Sequence, residues 1–165
     1  MKTVAGIFDN KMVADKAVAE LLDAGFTKDN ISLIMSEETK KKFFRSTDDE
    51  ANRTAKGATA GAAMGVALGA LIAGLTAAGT IVTSGGALLL TGPMVAILSG
   101  AGAGGVAGGL VGALVRAGFA ADEAGRFEEE IKRGKAVVVV HAESEEKASR
   151  AKVALQHSGA MLKAA

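Results

Sequence analysis

The stretches GATAGAAMGVALG (residues 57–69) and GAGAGGVAGGLVG (residues 100–112) each place a glycine at every fourth position. A glycine inside a helix costs about 0.8–1 kcal/mol relative to alanine, so such rows favour helices whose backbones pack closely together. The spacing therefore predicts two helices in contact through their glycines. The predicted self-association residues are Gly57, Gly61, Gly65, Gly69, Gly100, Gly104, Gly108 and Gly112.

Both rows belong to one uncharged segment, because no Asp, Glu, Lys or Arg occurs from residue 57 to residue 115. Within it, Thr83-Ser84-Gly85-Gly86 predicts a chain reversal, and Gly92-Pro93 predicts a second break. We therefore expect residues 57–116 to form an apolar helical hairpin, a glycine zipper. Residues 46–56, which are charged, are expected to be the linker that precedes it.

The flanks of this segment carry the charge and alternate between strand and helix patterns. The N-terminal flank predicts a strand at 3–9, a helix at 12–24 and a strand at 30–35. The C-terminal flank predicts a helix beginning near Phe119, then the valine-rich strand 136–142, a helix capped by Ser144 and a short extended piece at 160–164.

Leaving aside the helix near Phe119, each flank supplies one β-α-β unit. Two such units in succession are the element order of a ferredoxin-like split βαβ fold of the α+β class. We expect this domain to consist of residues 1–45 and 117–165, with the helical hairpin inserted between its second and third strands. Because those two strands are antiparallel, a hairpin that leaves and returns at one place fits there.

The composition argues against several classes of function. The 165 residues include 19 basic and 18 acidic side chains, for a net charge of +1, so no electrostatic footprint for nucleic acid is present. There is no cysteine, and the spacing of His141 and His157 matches no recognised metal-ligand set. We predict a protein that is not an enzyme, with no catalytic residue, cofactor or metal.

The environment of the apolar segment leaves two hypotheses open. Residues 57–83 would extend about 40 Å as a helix, enough to cross the hydrocarbon core of a bilayer, but few of them are strongly apolar. In the first hypothesis the segment inserts in or lies at a membrane, with Phe43 and Phe44 as interface anchors beside lysines. Alternatively, several chains form a soluble homo-oligomeric bundle or shell whose apolar interior holds a lipid or quinone.

A third hypothesis is a dinucleotide-binding enzyme. Val95-Ala96-Ile97-Leu98-Ser99 precedes Gly100, Gly102 and Gly105, which imitates a strand that leads into G-x-G-x-x-G and a helix. The motif requires residues 95–99 to be a strand. In a segment this rich in glycine, chance matches to the motif are frequent.

The order of motifs resembles a known family along nearly the whole chain. The residues that carry the resemblance are 4–9 (VAGIFD), 24–26 (AGF), the glycine-zipper segment, 118–124 (GFAADEA) and 134–143 (GKAVVVVHAE). In this order they are similar to the bacterial general-stress and low-temperature-induced proteins that have a glycine-rich insert. The resemblance implies a stress-associated, membrane-linked protein without an assigned reaction, and it supplies no catalytic residue. The basic residues Arg53, Lys56 and Arg116 at the base of the apolar segment then predict the cytoplasmic face of the bacterial inner membrane.

Overall fold

The fold is of the α+β class, with an antiparallel sheet and several helices. The computed structural model describes residues 2–42, 79–83, 86–99 and 109–164. Six strands form one sheet: β1 (Lys2–Phe8), β2 (Ile31–Ser36), β3 (Gly79–Thr83), β4 (Gly86–Leu90), β5 (Ala136–Ala142) and β6 (Met161–Ala164). Their order across the sheet is β3-β4-β2-β5-β1-β6, and every neighbouring pair is antiparallel.

Five labelled helices of the described residues lie over the two faces of this sheet: α1 (Lys11–Asp23), α2 (Pro93–Ser99), α3 (Gly109–Arg116), α4 (Ala121–Lys132) and α5 (Glu145–His157). A 3-10 turn covers Lys28–Asn30, and residues 37–42 are helical. Side-chain caps fix the starts of two helices. The Asn10 side chain accepts from the Met12 N–H at the start of α1, and Ser144 accepts from the Lys147 N–H, which confirms the predicted cap of α5.

The sheet is buried on both faces because alternate residues of its central strands are apolar on both sides. On the first face, Val4 and Phe8 of β1 and Val138 and Val140 of β5 pack against α1 and α5. On the second face, Val137 and Val139 of β5 belong to a core that also includes residues of α2, α3 and α4. The described part of the apolar segment therefore helps to cover the second face.

The prediction that residues 57–116 form an all-helical hairpin is wrong for residues 79–90. Residues 79–83 and 86–90 are strands β3 and β4, which pair with each other, and β4 also pairs with β2. The predicted reversal at residues 83–86 therefore joins two strands, not two helices. The physical reason is local: Thr80-Ile81-Val82-Thr83 is a β-branched run, which favours a strand more than a helix interior.

The predicted elements of the two flanks are confirmed, with shifts of one or two residues at their ends. Residues 36–42, which carried no clear pattern, include helical residues 37–42. The predicted linker, residues 46–56, lies outside the described residues. Among the helices that the structure describes, none has both the length and the apolar character needed to cross a bilayer.

Candidate functional site

The predicted glycine rows and aromatic anchors fall almost entirely outside the described residues. Gly57, Gly61, Gly65, Gly69, Gly100, Gly104 and Gly108 lie there, as do Phe43 and Phe44. Gly112 is described and lies within α3. A Cβ built on Gly112 would have no heavy atom of the described residues within 4 Å beyond its own helix backbone and chain neighbours, so the described part of the chain leaves this side of α3 open.

The structure places a second candidate site where the apolar segment joins the sheet. Gly92 connects β4 to α2 with a φ of +67°, a conformation that side chains of L-residues rarely adopt. A Cβ at Gly92 would lie 2.2 Å from the Ile31 carbonyl oxygen of β2. The backbone of this turn therefore lies against β2 at a distance that only glycine permits.

Two hydroxyl side chains hold this turn in place. Thr91 extends the pairing of β4 with β2: its N–H donates to the Leu33 carbonyl (3.0 Å), and its Oγ1 accepts from the Leu33 N–H (2.9 Å). One residue before Leu33, the Ser32 Oγ accepts from the Met94 N–H (3.1 Å) in the first turn of α2. Ser32 thus satisfies a donor that has no partner inside the short helix.

Side chains on the same face of the sheet also hold the other end of the segment. Thr3 of β1 pairs with His141 of β5, and the Thr3 Oγ1 donates to the carbonyl of Ala117, just after α3 (2.7 Å). The Ser32 Oγ lies 3.5 Å from the His141 Nε2. Thr3, Ser32 and His141, which we call the junction cluster, are all buried, so polar side chains on the sheet hold both the start of α2 and the residue after α3.

The described hydrogen bonds of the junction cluster hold backbone segments in place. His141 is 6% exposed, and burial lowers its pKa below the ordinary value of 6.5, which keeps the imidazole neutral near pH 7. The Ser32 Oγ is buried and already accepts the Met94 N–H. A serine nucleophile needs access to substrate and a base oriented by a third group. The described contacts of this pair include neither feature.

Replacement of His141 by glutamine should weaken the pH dependence of stability. Because the pKa of His141 is lowered in the folded state, the unfolded chain binds the proton of this histidine more readily. The contribution of neutral His141 to the free energy of unfolding is therefore fully present above pH 6.5 and is lost as the pH falls below that value. One such group contributes a slope of at most about 1.4 kcal/mol per pH unit. Urea unfolding between pH 5 and pH 8, values that bracket the histidine titration, would measure it.

The matched control is His157→Gln, because His157 is the other histidine of the chain and its side chain is exposed. The wild type and His157→Gln should lose stability in parallel below pH 6.5, whereas His141→Gln should not. The carboxylates Glu130 and Glu143, whose pKa values are lowered chiefly by hydrogen bonds from Lys135 and Lys147, act in a more acidic range, below 4.5. Identical slopes in all three proteins would contradict the buried neutral state of His141.

A shallow groove of about 510 Å³ lies between α1 and α5 on the outer side of the first face. Its floor includes Ala24 and Ala154, and Val153 on its wall is 65% exposed. Two ion pairs within single helices involve its lining residues: Glu146 pairs with Arg150, and Glu20 pairs with Lys16, which lies outside the groove. The groove contains no cluster of titratable groups beyond these surface pairs and His157.

Two chemical hypotheses can be tested against the described residues. No group of three or more metal-ligating His, Asp or Glu side chains occurs among them, and the chain contains no cysteine. The dinucleotide-binding hypothesis requires a strand that leads into the G-x-G-x-x-G motif. This requirement is not met, because residues 95–99 are part of helix α2. The proline at position 93, as the first residue of α2, favours this helix start.

Sequence reasoning missed the junction cluster. Its members are single polar residues in strands, and the available signal was that each sits at a position where alternation predicts an inward side chain. Comparison of the chain with family models, with curated proteins and with solved structures found no match. The function is therefore inferred from the sequence pattern and from the geometry above.

Proposed function

We propose that this protein is a non-enzymatic, stress-associated protein that self-assembles through its glycine rows at or in the bacterial membrane. In this proposal a ferredoxin-like domain presents the apolar glycine-rich segment to other copies of the chain and to lipid. The observation that carries the proposal is the pair of glycine rows in a segment without charge, with Gly112 on an open side of α3.

The arrangement of the strands supports the ferredoxin-like assignment. The two β-α-β units, residues 2–36 and 136–164, contribute the four adjacent strands in the order β6-β1-β5-β2. Numbered within the units alone this is 4-1-3-2, with every neighbouring pair antiparallel and both connecting helices on the first face. The apolar segment leaves after β2 and returns before β5, which are neighbours in the sheet.

The surface of α3 supports self-association through the second glycine row. Leu110 and Leu114 are buried in the core on the second face of the sheet, where α3 packs against α4 and α2, so one side of α3 is occupied within the chain. Gly112 meets nothing on its open side, and Val115, three residues further along, is 42% exposed. Residues three apart are neighbours on a helix surface, so glycine and valine form a small apolar patch suited to another helix.

Replacement of Gly112 by leucine tests the proposal without disturbing the fold. The described residues leave open space around the Cβ position of Gly112, and a helix-interior glycine costs about 0.8–1 kcal/mol, so the variant should be at least as stable as the wild type. In the assembly, a leucine would push the helix backbones apart. We expect the mass of the oligomer to fall, as measured by light scattering in buffer and in a mild detergent.

Gly125→Leu is the matched control, because Gly125 also lies in a helix, α4, with no heavy atom near its Cβ position, and belongs to neither glycine row. It should leave the assembly intact. An unchanged mass for Gly112→Leu, or equal dissociation in both variants, would argue against packing through the glycine row. Circular dichroism would verify that both variants retain their helices and strands.

The soluble assembly remains the second candidate, and one observation favours it. Met94, Leu110 and Leu114 of the apolar segment are buried on the chain's own sheet, which reduces the apolar surface that lipid would need to cover. Sister chains would then cover the rest, and their interior would hold a small hydrophobic ligand such as a lipid or quinone. Membrane fractionation separates the candidates: a carbonate-resistant pellet supports the membrane, and a large detergent-free particle supports the soluble assembly.

A further inference from the structure

The two edges of the sheet differ in how they are protected. Among the described strands, β6 pairs with β1 alone and β3 pairs with β4 alone, so each has an outer edge. Exposed edges are commonly protected by charged residues or proline, which discourage pairing with another chain. β6 contains Lys163, whereas β3, Gly79-Thr80-Ile81-Val82-Thr83, contains neither a charge nor a proline.

The register of β3 with β4 determines which backbone groups of β3 point outward. Thr83 pairs with Gly86 across a loop of two residues, and in such a hairpin the residues flanking the loop form a hydrogen-bonded pair. Because hydrogen-bonded and non-hydrogen-bonded pairs alternate, Gly79, Ile81 and Thr83 direct their backbone groups toward β4. Thr80 and Val82 therefore present their N–H and C=O groups on the outer edge.

These outward groups are symmetric about Ile81. A two-fold axis through Ile81 would bring a second β3 alongside in antiparallel orientation, with Thr80 of each chain opposite Val82 of the other. The two pairs would use all four N–H and all four C=O groups of residues 80 and 82. Because β3 has no charge, the axis brings no like charges together, whereas an equivalent pairing of β6 would bring two Lys163 residues close together.

We propose that β3 is a self-association edge at which a second copy of this chain adds its own β3, giving a sheet that continues through both protomers. The inference rests on the proposed self-association and assigns it a contact distinct from the glycine rows. The occupant is a second copy because the outward groups complement themselves about one residue. The contact is isologous, as in most protein dimers.

The absence of cysteine allows a cross-linking test that is specific for this register. In the proposed dimer, Ile81 lies opposite its own copy in a non-hydrogen-bonded pair, with the Cα atoms about 4.5 Å apart, a separation that a disulfide can bridge. The two copies of Thr83 would lie about 13 Å apart along the strands, too far for a disulfide. Mild oxidation of full-length Ile81→Cys should therefore give a covalent dimer, and Thr83→Cys should not.

A proline substitution tests the same edge without cysteine. Thr80→Pro removes an outward N–H of β3 and leaves its pairing with β4 intact, since proline is tolerated on edge strands where the N–H faces away from the sheet. It would remove two of the four backbone hydrogen bonds of the dimer, so the mass by light scattering should fall. Thr80→Val keeps the N–H and should keep the wild-type mass.

Equal cross-linking of the two cysteine variants, or an unchanged mass for Thr80→Pro, would overturn the proposed edge. The Gly112→Leu variant separates this outcome from a failure of the glycine-row proposal. If Gly112→Leu dissociates the assembly while Ile81→Cys forms no dimer, the glycine-row proposal is supported and the proposed pairing at the β3 edge is wrong. If Ile81→Cys forms its dimer while Gly112→Leu leaves the mass of the assembly unchanged, the proposed pairing at the β3 edge is supported and the glycine-row proposal is wrong.

Discussion

Replacement of Gly92 by alanine is expected to destabilise the protein by at least about 3 kcal/mol, a large share of the roughly 5–15 kcal/mol that stabilises a typical domain. Two effects add at this position. The left-handed φ of +67° is strained for any side chain, and the new Cβ would lie 2.2 Å from the Ile31 carbonyl oxygen. Because that oxygen is backbone of a central part of the sheet, relief requires the turn to move away from β2.

Gly25→Ala is the matched control for Gly92→Ala. Gly25 has a φ of +88° but no heavy atom within 4 Å of its Cβ position, so its replacement carries the strain of a positive φ without the collision. We expect a loss of about 1–2 kcal/mol there. Urea unfolding of both variants measures the difference. Equal losses in the free energy of unfolding would mean that the collision of the new Cβ with the Ile31 carbonyl oxygen adds nothing to the cost of Gly92→Ala.

Replacement of Phe127 by alanine should be about as damaging, with a loss of about 3–5 kcal/mol. Phe127 of α4 is fully buried, and its ring packs edge-on against Phe119, with the ring centroids 5.3 Å apart and the planes at 75°. Its loss would leave a cavity between α4 and the second face of the sheet, where Val137 and Val139 also lie. Thermal or urea unfolding would show the change.

Val153→Ala is the control for this prediction, because Val153 is 65% exposed on α5 and its truncation opens no cavity. Its effect on the free energy of unfolding should stay within about 0.5 kcal/mol. A loss for Phe127→Ala no larger than that of the control would contradict the packing of α4 on the sheet.

The flanks were predictable because their patterns are local. Asn10 and Ser144 are residue types that favour helix N-caps. The run Val137-Val138-Val139-Val140 favours a strand because valine is β-branched. The order of these elements also indicated two β-α-β units. The pairing of β5 with both β1 and β2 needed the tertiary structure.

The glycine spacing predicts helices at residues 79–83 and 86–90, where the β-branched residues of the first stretch and the pairing with β2 favour strands instead. Thr80-Ile81-Val82-Thr83 followed by two residues and then Gly86 is the pattern of a β-hairpin. The junction cluster could not be located from the sequence, since contacts such as that of Ser32 with Met94 join residues far apart in the chain. Gly92 was recognised as a break, but its close approach to Ile31 is a tertiary feature.

The self-association of the chain is the central claim, and sedimentation equilibrium of the purified full-length protein tests it most directly. A self-associating chain should give a mass that is a multiple of 16.5 kDa, both in detergent-free buffer and in a mild detergent. Gly112→Leu should lower this mass while the variant stays folded. A wild-type mass of 16.5 kDa at every concentration, in both conditions, would contradict self-association.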